Sequence, residues 1–380
     1  MPLFLYIYGM KSFILVLLTA CGLNGIAQTT VIDSFVHDGV YRNYRIYVPA
    51  IYSGSQPVPL VLNLHGYTSN ALEQEFYGDL RPIADTANFI LVHPNGTGPA
   101  GGQYWNAYTM GSPNDVGFIE ALIDSISVQY NINANRIYTC GMSNGGIMSY
   151  FLAENLNHKF AAMGSVTGSM TNFALSTCTP PDNIPVIEIH GTADGSVPYN
   201  GDGTFAPIDS IIDFWVGFNN CNPVPTVIPY PNTSTSDGCT ATEYAYTGGT
   251  GGSEVVLVKI TGGGHSWPNA PVLIDVTNFD FDASVRLWQF FMQFDKNQFI
   301  GVTENTAENE LVRVFPNPAS TYAVITGVPN GQTVRVFNLM GETVFDALAQ
   351  GHELTLPVQH WQKGLYLVVT GSQKRKLVLN

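Results

Sequence analysis

The chain has 380 residues, of which 45% are hydrophobic and only 12% are charged, and its formal net charge is −14 at pH 7. A chain of this length has room for two or three domains and a large buried core. Basic residues are few and scattered, so the clustered positive surface that nucleic acids and anionic membranes require is excluded, and we expect neither as a partner.

The N-terminal segment has the pattern of a secretory signal peptide. Lys11 precedes the apolar run FILVLL, small residues follow, and the run is too short to span a membrane as a helix. We predict cleavage after Gln28, so that residues 1–28 are a leader. The alternative is a lipoprotein, in which Cys21 of the lipobox-like sequence Leu-Thr-Ala-Cys carries the lipid.

Four cysteines remain after the leader, and in an exported chain this even number suggests two disulfide bonds. Three connectivities are possible. Cys221 and Cys239 flank one loop-like stretch, so we predict a bond between them and a second between Cys140 and Cys178. The histidines do not cluster at metal-ligand spacing, and we predict neither a metal site nor a cofactor.

Alternating apolar and polar residues surround Asp38-Gly39, which predicts a β-hairpin directly after the leader. Short apolar runs that end in Gly, Asp, His or Ser then predict buried strands: VPLVLNLHG (58–66), NFILVHPNG (88–96), NRIYTCGMS (135–143), IPVIEIHGTAD (184–194) and EVVLVKITGGGH (254–265). Helix-like segments lie between them: NDVGFIEALIDSISVQYN (114–131), GGIMSYFLAENL (145–156) and SIIDFWVGFNN (210–220). Alternating strands and helices predict an α/β fold with a mostly parallel central sheet over residues 29–300.

The composition changes near residue 300. The acidic, polar stretch TENTAENE (303–310) predicts a linker, which we place at residues 301–310. Residues 311–380 contain short strands with turn signals about every ten residues and no long helical pattern, which predicts a small C-terminal β-sandwich.

Residues 141–145 read Gly-Met-Ser-Asn-Gly, a G-x-S-x-G sequence between a predicted strand and a predicted helix. This context is the one that a nucleophile elbow requires, because the sharp turn leaves no room for side chains two residues before and after the serine. The helix that follows directs its first N–H groups toward developing negative charge. The alternative is an ordinary glycine-rich turn, and the rest of the chain decides between the two.

A serine nucleophile needs a base, an acid that orients the base, and donors for the oxyanion. Asp194 and His265 follow predicted strands, and the order Ser143, Asp194, His265 is that of an α/β-hydrolase triad. His190 is the rival base, but it would share one loop with Asp194, which leaves no sensible triad geometry. Alternatively, Asp194 caps a turn and His265 is a structural loop residue.

Two further sets of residues are expected at the site. The backbone N–H groups of Tyr67, after the strand that ends in His65-Gly66, and of Asn144 are the predicted oxyanion donors. We expect His65 to shape its loop rather than to act as a base. Trp105 and Trp267 lie in loops near these elements and could line a substrate pocket for an aromatic acyl group or a sugar ring, or they could simply pack in the interior.

Several of these segments together resemble the secreted esterase family that groups polyhydroxybutyrate depolymerases with feruloyl and acetylxylan esterases. They are LVLNLHGYTSNALEQE, WNAYTMGSPNDVGFIEALID, RIYTCGMSNGGIMSYFLAE, IEIHGTADGSVPYNG and GGGHSWP. The resemblance covers about residues 30–300 and implies an α/β-hydrolase with Ser143, Asp194 and His265 as its triad. The family often has Asp where this chain has Asn114, in a pair that we interpret as structural. Depolymerase-like members often have Cys at the position that Tyr67 occupies in this chain. The presence of Tyr67 therefore favours the carbohydrate-ester branch of the family.

The tail has its own resemblance. VFPNPAS, VRVFNLMGETV, KGLYLVVTG and the terminal KRKLVLN are similar to the type A C-terminal sorting domain of the type IX secretion system. This similarity implies that the type IX machinery is a partner and that the protein is exported to the cell surface or the exterior. The alternative is a sugar-binding or adhesive β-sandwich.

The sequence therefore predicts a secreted serine carboxylesterase that acts on carbohydrate-linked esters, feruloyl or acetyl groups on xylan. The alternatives are a polyhydroxybutyrate-type polyester depolymerase, a peptidase with the same triad, and a cell-surface adhesin built on an inactive hydrolase fold. The oligomeric state, the acyl group and the alcohol are left open.

Overall fold

The computed structural model describes residues 28–98, 102–108, 113–296, 312–338, 342–351, 353–371 and 373–379. The predicted leader as far as Ala27, the alternative lipidation site Cys21 and the predicted linker at 301–310 lie outside these ranges. No helix among the described residues combines the length and the apolar character that a membrane crossing needs.

In the part of the chain that the structure describes, ten strands form the main sheet. They are β1 Thr29–His37, β2 Val40–Val48, β3 Val58–Leu64, β4 Ile90–Pro94, β5 Ile132–Gly141, β6 Ala162–Val166, β7 Val186–Gly191, β8 Thr226–Pro229, β9 Thr240–Tyr246 and β10 Val255–Thr261. Their order across the sheet is β1-β2-β4-β3-β5-β6-β7-β10-β9-β8. The six strands from β4 to β10 in this order are parallel, and the edge strands pair antiparallel. The predicted hairpin is β1–β2, and its turn residues Asp38 and Gly39 both have positive φ.

Among the described residues, seven α-helices accompany these strands. They are α1 Ala71–Tyr77, α2 Arg81–Ala87, α3 Asp115–Gln129, α4 Asn144–Asn155, α5 Asn172–Thr177, α6 Ile208–Phe218 and α7 Ala283–Phe291. The apolar sides of α3, α4 and α6 pack into one core against one face of the sheet. The apolar sides of α2 and α7 pack into a second core on the opposite face. A mostly parallel sheet covered on both faces explains the continuously apolar strands and confirms the predicted α/β-hydrolase architecture.

The C-terminal region forms two antiparallel sheets, as predicted. Their strands are β11 Arg313–Phe315, β12 Tyr322–Thr326, β13 Thr333–Phe337, β14 Thr343–Leu348, β15 Glu353–Pro357, β16 Gly364–Thr370 and β17 Gln373–Leu379. The first sheet has the order β11-β12-β15 and the second β14-β13-β16-β17. Inward-facing side chains of both sheets share a core of their own, so the region packs as a small sandwich.

The predicted disulfide bonds are wrong in this structure, because Cys140, Cys178, Cys221 and Cys239 are all free and buried. The main sheet separates the members of each predicted pair. Cys140 and Cys239 belong to the core on one face, whereas Cys178 and Cys221 belong to the core on the other. Burial also raises the pKa of these thiols, to about 12 for Cys178 and about 11 for Cys239.

Candidate active site

Ser143 lies on the strained turn that the sequence predicts, between strand β5 and helix α4. Its backbone has φ 53° and ψ −119°, a conformation that is costly for a residue with a side chain. Its N–H donates to Val166 O at 2.9 Å, which holds the turn against the neighbouring strand. A Cβ on Gly141 would lie 2.6 Å from the Gly145 carbonyl carbon, and one on Gly145 would lie 2.2 Å from Leu64 O. Both glycines are therefore required by close backbone contacts.

Asp194 and His265 come together from the ends of β7 and β10. His265 Nδ1 and Asp194 Oδ2 are 2.7 Å apart, and Asp194 Oδ1 accepts the N–H groups of Ser196 and Val197 at 2.8 Å each. Burial alone raises the pKa of Asp194, but hydrogen bonding to His265 and Val197 outweighs burial, so the pKa lies below its usual value. Because an ionised carboxylate can only accept, His265 carries its proton on Nδ1 and leaves Nε2 free to act as a base.

Ser143 and His265 line one open cleft of about 390 Å³. Gly66 and Tyr67, which follow β3, line the same cleft, and a Cβ on Gly66 would lie 3.5 Å from Ser143 Cβ. Asn144 is the first residue of α4, where N–H groups have no acceptor within the helix. The structure thus brings the predicted nucleophile, the predicted base and the loops that carry both expected oxyanion donors to one place.

The Asn144 side chain points into a neighbouring loop. Its Oδ1 accepts the Trp105 N–H at 2.6 Å, and its Nδ2 donates to Trp105 O at 3.2 Å. This two-way contact fixes the loop that contains Trp105 against the start of α4.

His65 shapes the loop before Tyr67, as predicted. Its Nε2 accepts the Gly96 N–H at 2.9 Å, so its proton is on Nδ1, which donates to Gly66 O at 2.7 Å. The ring is fully buried, and burial lowers its pKa to about 4. His65 is therefore a neutral structural side chain at pH 7.

The two tryptophans do not line the cleft, which corrects the prediction of substrate contact. Trp105 is 2% exposed and Trp267 is 1% exposed. Trp105 Nε1 donates to His65 O at 2.9 Å, and Trp267 Nε1 donates to Ser284 Oγ at 3.1 Å. Each indole N–H has an internal acceptor, so both rings pack in the protein interior behind the site.

His190, the rival base, is also buried and does not line the cleft. Its Nδ1 lies 2.8 Å from Glu188 Oε1, and its Nε2 lies 2.9 Å from Val197 O. Both ring nitrogens are thus engaged inside the protein. Nε2 is also 3.4 Å from Asp194 Oδ2, the carboxylate oxygen that His265 contacts as well.

The apolar walls of the cleft were not among the features predicted from the sequence. Phe76 and Tyr77 of α1 form part of the wall, and Val272 and Ile274 of the loop after His265 form another part. The available signal was the sequence Val-Leu-Ile at 272–274, three large apolar residues in an otherwise turn-rich loop. Among the described residues, no group of three or more His, Cys, Asp or Glu side chains is arranged to hold a metal ion.

Comparison with known proteins gives two family matches. Residues 42–186 match the family described as Esterase PHB depolymerase. Residues 313–380 match the family described as Secretion system C-terminal sorting domain.

Individual proteins are similar to this chain over stretches longer than the first of these regions. The chain is 30% identical over 259 residues to feruloyl esterase C of Emericella nidulans, and the alignment covers 66% of this chain and 84% of that protein. It is 26% identical over 250 residues to a bifunctional acetylxylan esterase/xylanase of Neocallimastix patriciarum, covering 66% of this chain and 34% of that protein. The chain therefore spans about a third of the length of the bifunctional relative. The solved acetyl xylan esterase from Aspergillus awamori is 14% identical with a TM-score of 0.46, covering 62% of this chain and 94% of that one.

Proposed function

We propose, since this chain belongs to the family described as Esterase PHB depolymerase, that it is a serine carboxylesterase acting on carbohydrate-linked esters, feruloyl or acetyl groups on xylan. The family and its esterase relatives make the chain a carboxylic ester hydrolase. The sorting domain directs the protein to the cell surface or the exterior by the type IX route, so the type IX secretion machinery is its partner in export.

The observation that carries the proposal is the 2.7 Å contact between His265 Nδ1 and Asp194 Oδ2 in the cleft that Ser143 also lines. His265 Nε2 takes the Ser143 proton as Oγ attacks the ester carbonyl. Asp194 keeps the imidazole in the correct tautomer and stabilises its charged form. The tetrahedral intermediate collapses to the acyl-enzyme as the ester C–O bond breaks and His265 gives its proton to the leaving alcohol. Water then attacks the acyl-enzyme with His265 again as the base, which releases the acid and regenerates the Ser143 hydroxyl.

The oxyanion of the tetrahedral intermediate is placed between the backbone N–H groups of Tyr67 and Asn144. These donors belong to a helix start and to a loop that His65 braces, so they need little rearrangement during the reaction. Donors that are fixed before the reaction stabilise developing charge most effectively, and removing one costs roughly a hundred-fold or more in rate.

The carbohydrate-ester assignment is supported by the feruloyl and acetylxylan esterase relatives and by Tyr67, the residue that favours this branch. A polyester depolymerase is the second candidate. The apolar wall formed by Phe76, Val272 and Ile274 favours it, because such a surface also suits a short hydroxyalkanoate oligomer.

The first test uses the chain without its predicted leader, beginning at Thr29, and replaces each triad residue in turn. We expect Ser143→Ala and His265→Ala to lower kcat by roughly a thousand-fold or more, and Asp194→Asn by a similar factor. Acid release from methyl ferulate, acetylated xylan and a hydroxybutyrate oligomer provides the assay. Ferulate or acetate release supports carbohydrate esters, whereas release of hydroxybutyrate alone supports the polyester candidate.

Ser176→Ala is the matched control, because Ser176 is exposed on α5 and its hydroxyl only donates to Phe173 O. It should retain wild-type hydrolysis. Wild-type activity in folded Ser143→Ala protein would rule out the proposed mechanism. If a fluorophosphonate fails to label the folded wild-type protein, the inactive adhesin becomes the better hypothesis.

A further inference from the structure

The loop after His265 folds back onto that histidine, and Asp275 makes the contact. Asp275 Oδ2 accepts the His265 backbone N–H at 2.7 Å, and Asp275 Oδ1 accepts the Val276 N–H at 2.8 Å. Beside this contact, the Gly264 N–H donates to Val276 O at 2.9 Å. The residue that carries the proposed base is therefore held through its main chain by a side chain ten positions further on.

Gly264 provides independent evidence that the carboxylate is seated at this point. A Cβ on Gly264 would lie 2.2 Å from Asp275 Cγ and within 2.5 Å of both carboxylate oxygens. The φ of Gly264 is not in the left-handed region, so this glycine is not needed for backbone conformation. It is needed because the Asp275 side chain occupies the space that a Cβ would fill.

The ends of the loop are anchored as well. Thr277 Oγ1 donates to Asp275 O at 2.9 Å and contacts Ser266 Oγ, and the Asn269 N–H donates to Asn278 O at 2.9 Å. The exposed apolar residues 272–274 lie between these anchors, and Val272 and Ile274 form part of the cleft wall. The loop thus links a surface that faces substrate to the backbone of His265.

We propose that Asp275 is a positioning residue that holds His265 between Asp194 and Ser143 and joins the apolar 272–274 segment to the base. This inference depends on the proposed function, because it requires His265 to be the base. Asp275 does not touch the reacting atoms and acts only through the His265 main chain. A base displaced by about 1 Å can lose on the order of a hundred-fold in rate, so loss of this contact affects the chemical step.

The test compares Asp275→Ala, Asp275→Asn and Gly264→Ala in the full chain. For each variant, kcat and KM for methyl ferulate, the rate of fluorophosphonate labelling and the melting temperature are measured. We expect Asp275→Ala and Gly264→Ala to lower kcat and the labelling rate by at least about ten-fold, with KM within about two-fold of wild type. Asp275→Asn should retain more activity, because its amide oxygen can still accept the His265 N–H.

Asp280→Asn is the matched control. Asp280 lies further along the same loop and its carboxylate accepts the N–H groups of Thr233 and Ser234, at 2.7 and 3.0 Å, without contacting His265. It should label at the wild-type rate even if its melting temperature falls. If Asp275 had a purely structural role, Asp275→Ala and Asp280→Asn would label at similar rates whenever they lost the same amount of melting temperature.

Wild-type labelling of folded Asp275→Ala protein would overturn the inference and leave the proposed function intact, provided that Ser143→Ala is inactive. A change in KM alone would also overturn it, since Asp275 would then support only the cleft wall. Activity that persists in Ser143→Ala would instead refute the proposed function itself.

Discussion

His65 shows how burial of a single side chain sets its protonation state. Its pKa is lowered to about 4 from a usual value of 6.5, because burial disfavours the imidazolium and Nε2 must stay unprotonated to accept the Gly96 N–H. In the unfolded chain the ring takes up a proton as the pH falls below about 6.5. The folded chain does not take up this proton until about pH 4, so His65 makes the fold less stable as the pH falls through this window.

We expect this group to lower the free energy of unfolding by about 2 kcal/mol between pH 7 and pH 4.5. The measurement is urea unfolding at both pH values for wild type and His65→Gln. The variant has no titrating group at this site. Its free energy of unfolding should therefore change less than that of wild type between the two pH values, by about 2 kcal/mol. The comparison holds even if the variant is less stable overall.

His158→Gln serves as the control for this experiment, since His158 is exposed and its contact is a surface one with Glu120. It should show the wild-type difference in stability between the two pH values. An equal pH dependence in His65→Gln and wild type would show that His65 is not the group responsible.

At the scale of elements, a buried ion pair joins helix α7 to strand β9. Arg286 Nε lies 2.7 Å from Glu243 Oε2, its Nη2 lies 2.9 Å from Oε1, and Tyr230 also donates to Glu243. Both charged side chains are almost fully buried. The pair therefore ties helix α7 to strand β9 at the antiparallel edge of the sheet.

Arg286→Met should lower the free energy of unfolding by about 3 kcal/mol or more, because it leaves the Glu243 carboxylate buried without its partner. The double variant Arg286→Met/Glu243→Gln should recover much of this loss, since neither charge then remains. Denaturant unfolding of both proteins provides the measurement. Arg335→Met, which breaks the exposed Arg335–Asp346 pair, should cost less than about 1 kcal/mol.

If the single and double variants are equally destabilised, the loss comes from packing of the Arg286 side chain and not from an uncompensated charge. That result would contradict the electrostatic interpretation of the α7–β9 connection.

At the scale of the whole molecule, the catalytic and sorting functions are assigned to regions with separate cores. The C-terminal sheets pack around their own apolar residues, and no described residue from 312 onward lines the cleft. Contacts between the regions include the Lys374 ammonium, which donates to the carbonyl oxygens of Met292 and Gln293 at 3.1 and 2.8 Å. We infer that residues 29–300 are an independent esterase domain, 301–310 a linker and 311–380 a sorting domain.

A chain that ends at residue 300 should therefore keep kcat and KM within about two-fold of the full chain. It should lose export, because the part matching the sorting domain is absent. Steady-state hydrolysis of methyl ferulate and the distribution of activity between cells and medium test the two statements separately. A truncated protein that unfolds or loses activity would refute the proposed domain division.

Much of the fold and the core of the site could be predicted from the sequence, since their signals are local. Asp38-Gly39 predicts a hairpin because both positions tolerate positive φ, and apolar runs predict strands covered on both faces. The glycines around Ser143 predict the strained turn because a side chain there would collide with backbone. The positions of Ser143, Asp194 and His265 after three predicted strands, here β5, β7 and β10, indicated the order of the proposed triad.

The remaining features depended on contacts between distant segments, which local patterns do not specify. Strand β6 has the unremarkable sequence AMGSV and is a strand because β5 and β7 pair with it on either side. The sheet decides that the cysteines cannot pair as predicted, and internal acceptors for the indole N–H groups decide that Trp105 and Trp267 are buried. The contact of Asp275 with His265 exists only because the chain folds back on itself. The sequence by itself determined the chemistry available and its order along the chain, whereas the tertiary structure decided which side chains meet.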